Sequence, residues 1–460
     1  MQKPARHPSG AVLGSPQAPA GPVTPSELLA LARAAGADDV GLVPVDAAAL
    51  GEESDHARSL LPTARSLLAV VGRMNREPLR SPHRAIANVE FHHTGDDLNH
   101  VTRRIVRELE ARGHRAVAPP MGFPMDAEDF PGRLWAISHK PVAVAAGLGH
   151  MGIHRSVIHP SFGSFVLLST VVTDIEVEGA PEIGTPLDGN PCLECKLCVP
   201  ACPVGAISPA GRFDFTACLT HNYREFLGGF ADYVEAVADA PSGKALRKKV
   251  ETHEHVSMWQ SLSFGANYKS AYCLAVCPAG EDVIRPYLED KRRWRDEHVQ
   301  PIVEREETLY VLPGSDAEAH VVKRHPHKPL KRVSSHLFPR SIQSFLRALP
   351  WVFQPGRAKG LSARYHFTFT GCEATDGAGV GQSPEETPGR ILATIRIHDQ
   401  KIQVTPGHVD EPDLRVDADA RTWLAFLAKE RSIVRALLTR KVRPRGRISL
   451  LPAFGRCFPL

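Results

Sequence analysis

Apolar positions recur at two different periods along this chain. Residues 26–45, SELLALARAAGADDVGLVPV, begin with Leu28, Leu29, Leu31 and Ala32 on one side of a helix. Ser26 is the expected cap and Gly36 the expected stop, and a short strand, Val40 to Val45, follows. SLLAVVGRM (66–74) reads as a second buried strand. From about Asp96 to Arg112 the apolar residues Val101, Ile105, Val106 and Leu109 fall at helical spacing. Strands and helices alternating through residue 180 predict a layered α/β domain over 23–180. Residues 181–300 are loop-rich, with helical pieces at Ala231–Ala238 and near Asp282–Arg295. Residues 301–359 read as a linker, and KRHPHKPLKR (323–332) within it reads as a solvated cationic stretch. The pattern then changes again. ARYHFTFTG (363–371) and ILATIRIHDQKIQVTPG (391–407) alternate with period two around the turn-like His398-Asp399-Gln400. ADARTWLAFLAKERSIVRALLTRKV reads as a helix, capped by Asp417 or Asp419, with Trp423, Phe426 and Leu427 on one side. Residues 360–460 are therefore a small α+β domain.

Composition narrows the function classes. The 460 residues carry 55 Lys+Arg against 51 Asp+Glu, a formal charge of +4. That balance predicts no specificity for nucleic acid. No uninterrupted apolar run is long enough to cross a membrane. Residues 1–22 belong to a proline-rich segment without an apolar signal core or a twin-arginine pair, and read as a disordered leader on a cytoplasmic protein. Seven of the nine cysteines lie between 192 and 277, a clustering that indicates metal chemistry rather than a disulfide framework.

Cys192, Cys195, Cys198 and Cys202-Pro203 form C-x2-C-x2-C-x3-C-P, the run of bacterial ferredoxins. In that run three thiolates hold one cubane and the fourth serves a second cluster. Zinc wants two separated pairs, which this spacing does not provide. Cys273-Leu-Ala-Val-Cys277-Pro278 repeats the C-x3-C-P tail. By pseudo-symmetry Cys277 completes the first set with Cys192, Cys195 and Cys198, while Cys202 and Cys273 start a second. Cys218 is the best third ligand there, and Ser270 stands where a full repeat would have a cysteine. The second cluster is thus either a three-iron form or one with a non-cysteine ligand, for which Ser270 and His221 are the candidates. Cys372 and Cys457 read as buried apolar cysteines.

RSLLAVVGRM, AGLGHMGIHRSVIHPSFGSFVLLSTVVTD, CLECKLCVPACPVGAI, ACLTHNY and AYCLAVCP, in that order, resemble the epoxyqueuosine reductase and reductive dehalogenase superfamily over roughly residues 23–300. The resemblance implies an α/β cobalamin-binding domain, a ferredoxin-like domain with two [4Fe-4S] clusters, and a low-potential donor, a ferredoxin or flavodoxin. It implies that Gly147, Gly149, Gly152 and Ser164 approach the cofactor. The family's catalytic Asp, in V-D-x-x-P before the GLG block, is replaced here by Ser138, His139 and Lys140 before Pro141. That departure lies closer to the dehalogenase-like branch. His139 and Lys140 are the candidate proton donors, and Asp126 and Asp129 the nearest upstream carboxylates. GLGHMG (147–152) also matches a dinucleotide fingerprint, but Pro160 and Gly163 leave little room for the helix that fingerprint requires. Residues 360–460 resemble the sterol carrier protein type 2 fold, which implies an apolar tunnel and a lipid or other hydrophobic ligand. Its alternative is a packed module that binds nothing.

Two functions remain open on the sequence. One is a cobalamin- and iron–sulfur-dependent reductase that cleaves a small or hydrophobic substrate by two-electron reduction. The other is a non-catalytic ferredoxin-type electron-transfer protein with a lipid-binding appendage.

Overall fold

The computed structural model describes residues 23–125, 134–177, 184–269, 271–336, 338–372 and 389–459. The proposed leader, Asp126, Asp129 and Ser270 lie outside them.

The first strands are β1 (Asp39–Pro44), β2 (Ser66–Arg73) and β3 (Ala116–Val117), followed by a small hairpin of β4 (His150–Met151) and β5 (Val157–Ile158), then β6 (Val166–Thr173). The main sheet runs β1-β2-β6-β3, with every neighbouring pair antiparallel. Alternate residues of β2 explain its layers. Leu68 and Val70 face the helices Pro25–Ala34 and Arg84–Ala111, through Leu28, Leu98, Val101 and Ile105. Leu67, Ala69 and Val71 face the other side, against Val142, Ala143 and Ala145 of the helix His139–Ala145. Both faces are covered, which is why β2 lacks polar alternation. Two boundaries differ from the sequence reading. The first helix is capped by Thr24, not Ser26, in a capping box with Glu27. The long helix begins at Arg84, twelve residues before Asp96, because its first three turns meet the cysteine-bearing lobe instead of the sheet: Asn88 bonds Tyr268 and His92 bonds the Ala266 carbonyl.

Residues 301–359 are not a linker. β7 (Leu309–Val311) and β8 (Leu330–Arg332) pair in parallel, and the helix Asp316–Arg324 joins them. Leu309, Val311, Ala317 and Val321 pack on Val204, Ala206 and Ala217 of the cysteine lobe. Lys328 has a side chain only 1% exposed, paired with Glu307 at 3.0 Å. Charge density alone misreads this stretch because a paired lysine can be buried where the backbone around it is structured.

The last sheet contains β9 (Ala363–Thr370), β10 (Arg390–His398), β11 (Lys401–Pro406), β12 (Leu414–Asp419) and β13 (Val442–Gly446), in the order β11-β10-β9-β12-β13. Asp399 and Gln400 both have positive φ, as a two-residue hairpin turn demands. The expected single helix is two, Ala420–Leu427 and Ile433–Leu438, broken where Lys429 turns left-handed. Asp419 is the cap, accepting from the Thr422 amide at 3.0 Å.

Candidate iron–sulfur centre and recess

Between the first three cysteines, Glu194 and Lys196 adopt positive φ (52° and 55°), so the chain reverses hand twice while the sulfurs stay on one side. Cys198 opens a one-turn helix, Cys198–Ala201, and Cys202 leaves it in extended conformation. Cys192 packs on the cluster of Ile158, Cys277 and Ala279, and Cys198 feels Cys273 first, then Cys277, Cys195 and Cys192. Cys202 and Cys218 share the pocket of Val204, Ala206 and Ala217, and Cys273 acts electrostatically on Cys218. Cys273 also acts on Cys198, and Cys202 and Cys273 pack in the same cluster as Cys198, so the seven sulfurs form one neighbourhood, within which the spacing expects sets of four and three. Cys218 is carried by the helix Phe215–Asn222, whose cap Asp214 accepts from the Ala217 amide at 2.9 Å. The Ala206 amide donates to Cys202 Sγ at 3.2 Å.

All nine cysteines are free. Burial pushes the Cys273 thiol up to about 12, with Cys202 adding to it, and burial pushes Cys277 to about 11. Cys457 reaches about 11 by burial as well, so a raised thiol alone identifies nothing. The difference is that Cys195, Cys198, Cys218, Cys273 and Cys277 are raised by neighbouring cysteines as well as by burial. A packed core gains nothing from sulfurs facing sulfurs, whereas metal resolves that repulsion by replacing their protons. Cys202, Cys218 and Cys273 are crowded by protein yet not sealed from solvent, so they line a recess. The donor set fits iron–sulfur clusters. It does not fit one zinc ion, whose four thiolates at ~2.3 Å would stand ~3.8 Å from one another. Among the described residues, the set of three or more ligand groups whose atoms all lie within 4.8 Å is Asp232, Glu235 and His336, not cysteines.

His221 Nδ1 accepts the Tyr310 amide at 3.4 Å, and its buried Nε2 has no partner among the described residues. Burial, followed by Lys269, Lys328 and Arg84, pushes it down to about 3.

The residues expected to cradle a corrin are engaged by the protein itself. A side chain at Gly147 would meet the Thr185 carbonyl at 2.6 Å, and one at Gly152 would meet the His154 ring at 2.8 Å. Gly149 lies against the Ile158 carbonyl. Ser164 is fully buried and donates to the Leu274 carbonyl at 3.1 Å. These four residues do not fit that cofactor, and no step below passes through one. GLGHMG leads into the β4–β5 hairpin, so it is not a dinucleotide site either.

His139 is also misplaced as a proton donor. Its Nε2 faces the Pro120 carbonyl at 3.0 Å and its Nδ1 faces Thr170 Oγ1 at 2.9 Å. Both nitrogens are used, and burial lowers its pKa. Lys140, the next residue, is different. It is open to solvent but walled by protein, donates to the Arg155 carbonyl at 2.7 Å, and stands near Cys273 and Cys218. His154 lies beside it, pushed down to about 4 by burial and then by Lys140. Its Nδ1 accepts from Ser156, and its Nε2 has no partner among the described residues.

The sequence reading missed an aromatic wall. Tyr223, Phe226 and Tyr268 stand 5.2–5.4 Å apart, ring to ring, and Phe91 and Phe123 extend the group at 5.4 Å. Burial raises the Tyr223 phenol well above its usual range, with Tyr268, Cys218 and Cys273 adding to the shift. Tyr268 is pushed up to about 12 by burial. Tyr223 is five residues after Cys218 and Tyr268 five before Cys273, but no spacing rule marks either.

No family model matches the chain. It is 30% identical over 127 residues to an epoxyqueuosine reductase of Lactococcus garvieae, covering 28% of this chain and 33% of that protein. A second such reductase, from Synechocystis, is 26% identical over 169 residues, covering 36% and 53%. Over that part of its length the chain is similar to epoxyqueuosine reductases. It spans a third to about half the length of these two relatives. Among solved structures, a catabolic reductive dehalogenase covers 63% of this chain and 37% of its own at 15% identity and TM-score 0.36. An epoxyqueuosine reductase solved with a tRNA stem loop covers 60% and 78% at 18% identity and TM-score 0.32.

Proposed function

We propose that this chain is an iron–sulfur oxidoreductase that reduces a small or hydrophobic substrate held between Lys140 and Tyr223. The reading is carried by Lys140 and Tyr223, which come from distant segments and each feel the electrostatic influence of Cys218 and Cys273. Clusters bound at the two cysteine groups supply single-electron steps at low potential. Leu193, Glu194 and Lys196, around Cys192 and Cys195, are exposed, which suits entry of electrons there from a ferredoxin or flavodoxin. Tyr223, Phe226 and Tyr268 exclude water along one wall and give an apolar substrate a surface to lie on. Lys140 holds protons at Nζ and Tyr223 at its hydroxyl, so each can deliver the proton that balances bond cleavage. Two electrons and one proton convert a cleaved C–X bond into C–H and release X as an anion.

Tyr365, Phe367, Phe369, Trp423, Phe345 and Phe454 of the C-terminal domain stack on one another at 5.0–6.0 Å. Rings packed this way support a structural module there rather than a lipid tunnel. Among the described residues, no helix is long and apolar enough to cross a membrane.

The test is reoxidation of anaerobic, photoreduced protein by a nitroaromatic acceptor, followed by the visible absorption of the clusters. Tyr223→Phe and Lys140→Met should each slow reoxidation by about 100-fold with iron content unchanged. Unaltered rates in both variants would favour the non-catalytic electron-transfer reading. Cobalt assayed on the same sample reports separately on a corrin.

A further inference from the structure

From Lys429 to Arg447 the chain carries eight Lys or Arg and one acidic residue, Glu430, although the whole protein is nearly balanced. The structure turns this run into a surface. The helix Ile433–Leu438 packs through Ala436 against β13, the outermost strand of the C-terminal sheet, and Ile433 and Leu437 touch the core. Its other side is left to solvent. Val434 is 60% exposed and Leu438 is 79% exposed, one turn apart, with Arg435 between them. Arg431 lies just before this helix, and Arg440 and Arg443 come just after it.

Three neighbouring cations are already neutralised: Lys441 by Asp419 at 3.7 Å, Arg445 by Asp417 at 3.9 Å and Arg447 by Asp413 at 3.3 Å. Among the described residues, no ion pair is formed by Arg431, Arg435, Arg440 or Arg443. The Arg443 guanidinium instead caps the Arg440 carbonyl at 2.8 Å. Arg443, the one of the four that lies on the edge strand, can be explained as protection against strand addition. That explanation does not cover Leu438 and Val434, which are costly on a free surface and do nothing for an edge.

We infer that this face docks on an anionic phospholipid surface, with Val434 and Leu438 entering the headgroup boundary and the four arginines facing lipid phosphates. Aliphatic tips framed by guanidinium groups match the chemistry of such an interface. RNA carries the same phosphate charge, but recognition of unpaired bases uses aromatic rings, and this patch offers aliphatic tips where rings would stand. The inference is independent of the redox reading, since it uses no residue of the recess.

The experiment is sedimentation of the full-length, cluster-loaded protein with vesicles of phosphatidylcholine alone or mixed with phosphatidylserine, and in parallel with a stem-loop RNA. Binding is expected only where phosphatidylserine is present, and should fall as salt rises. The double variant Arg435→Glu, Arg440→Glu should weaken binding by at least about 25-fold, reckoned at fivefold per arginine. Leu438→Ser should weaken it roughly tenfold. Both variants should keep the iron content and unfolding temperature of the parent. Equal binding to neutral vesicles, no vesicle binding, insensitivity to both variants, or binding to RNA alone would each overturn the inference.

Discussion

Ser164 Oγ donates to the carbonyl of Leu274 at 3.1 Å, joining two buried positions 110 residues apart. The same hydroxyl supports the Cys277 thiol. One residue earlier, Gly163 has φ of 66° and no space for a side chain, because the Ala279 backbone occupies it. The end of the α/β sheet and the second cysteine motif thus meet backbone to backbone.

Gly163→Ala should consequently cost about 3 kcal/mol or more, since it adds strain at positive φ to a backbone clash. Ser164→Ala should cost about 1–3 kcal/mol by leaving the Leu274 carbonyl unsatisfied. Thermal unfolding checks both. A Gly163→Ala protein as stable as the parent would show that the seam is looser than described.

Glu225 is 2% exposed and meets Arg84 and Lys269, each at 2.7 Å. Burial raises its pKa, but Lys269 and Arg84 outweigh burial and hold the carboxyl below its usual range. Its stabilising contribution is therefore complete above the unfolded value, near 4.5, and is lost as pH falls through the lower folded value. Glu225→Gln should cost about 3–5 kcal/mol at neutral pH, because it strands two partly buried cations. It should also flatten the acid limb of the stability profile. Unfolding temperature measured against pH for parent and variant is the check.

Lys328 and Lys323 lie five residues apart in the same cationic stretch, but only Lys328 is buried. Lys328→Ala should lower stability by about 3 kcal/mol, through the uncompensated Glu307 carboxylate. Lys323→Ala should stay within about 0.5 kcal/mol of the parent. Equal, small effects would restore the solvated linker.

Much of the fold was legible where burial imposes a period. β2 and β9 begin within a residue of their apolar runs, and the His398–Lys401 hairpin sits at its turn signal. The C-x2-C-x2-C-x3-C-P run was legible because its spacing is short and regular. Residues 301–359 were not, since Lys328 is kept inside by Glu307, a partner 21 positions away. Gly147, Gly149 and Gly152 misled for a related reason: a sequence shows that a side chain is excluded, not whether a ligand or the chain itself excludes it. Tyr223 was invisible because only the tertiary fold brings it beside Tyr268 and under the influence of Cys218 and Cys273.

The central claim is that seven cysteines hold two iron–sulfur clusters in sets of four and three. Iron and acid-labile sulfide counted on anaerobically purified protein, with electron paramagnetic resonance of the reduced sample, test it most directly. The account predicts about seven to eight iron atoms per chain, and Cys218→Ala should remove the signal of one cluster while leaving that of the other. A single zinc with no iron, or one cluster whose signal ignores Cys218→Ala, would contradict it.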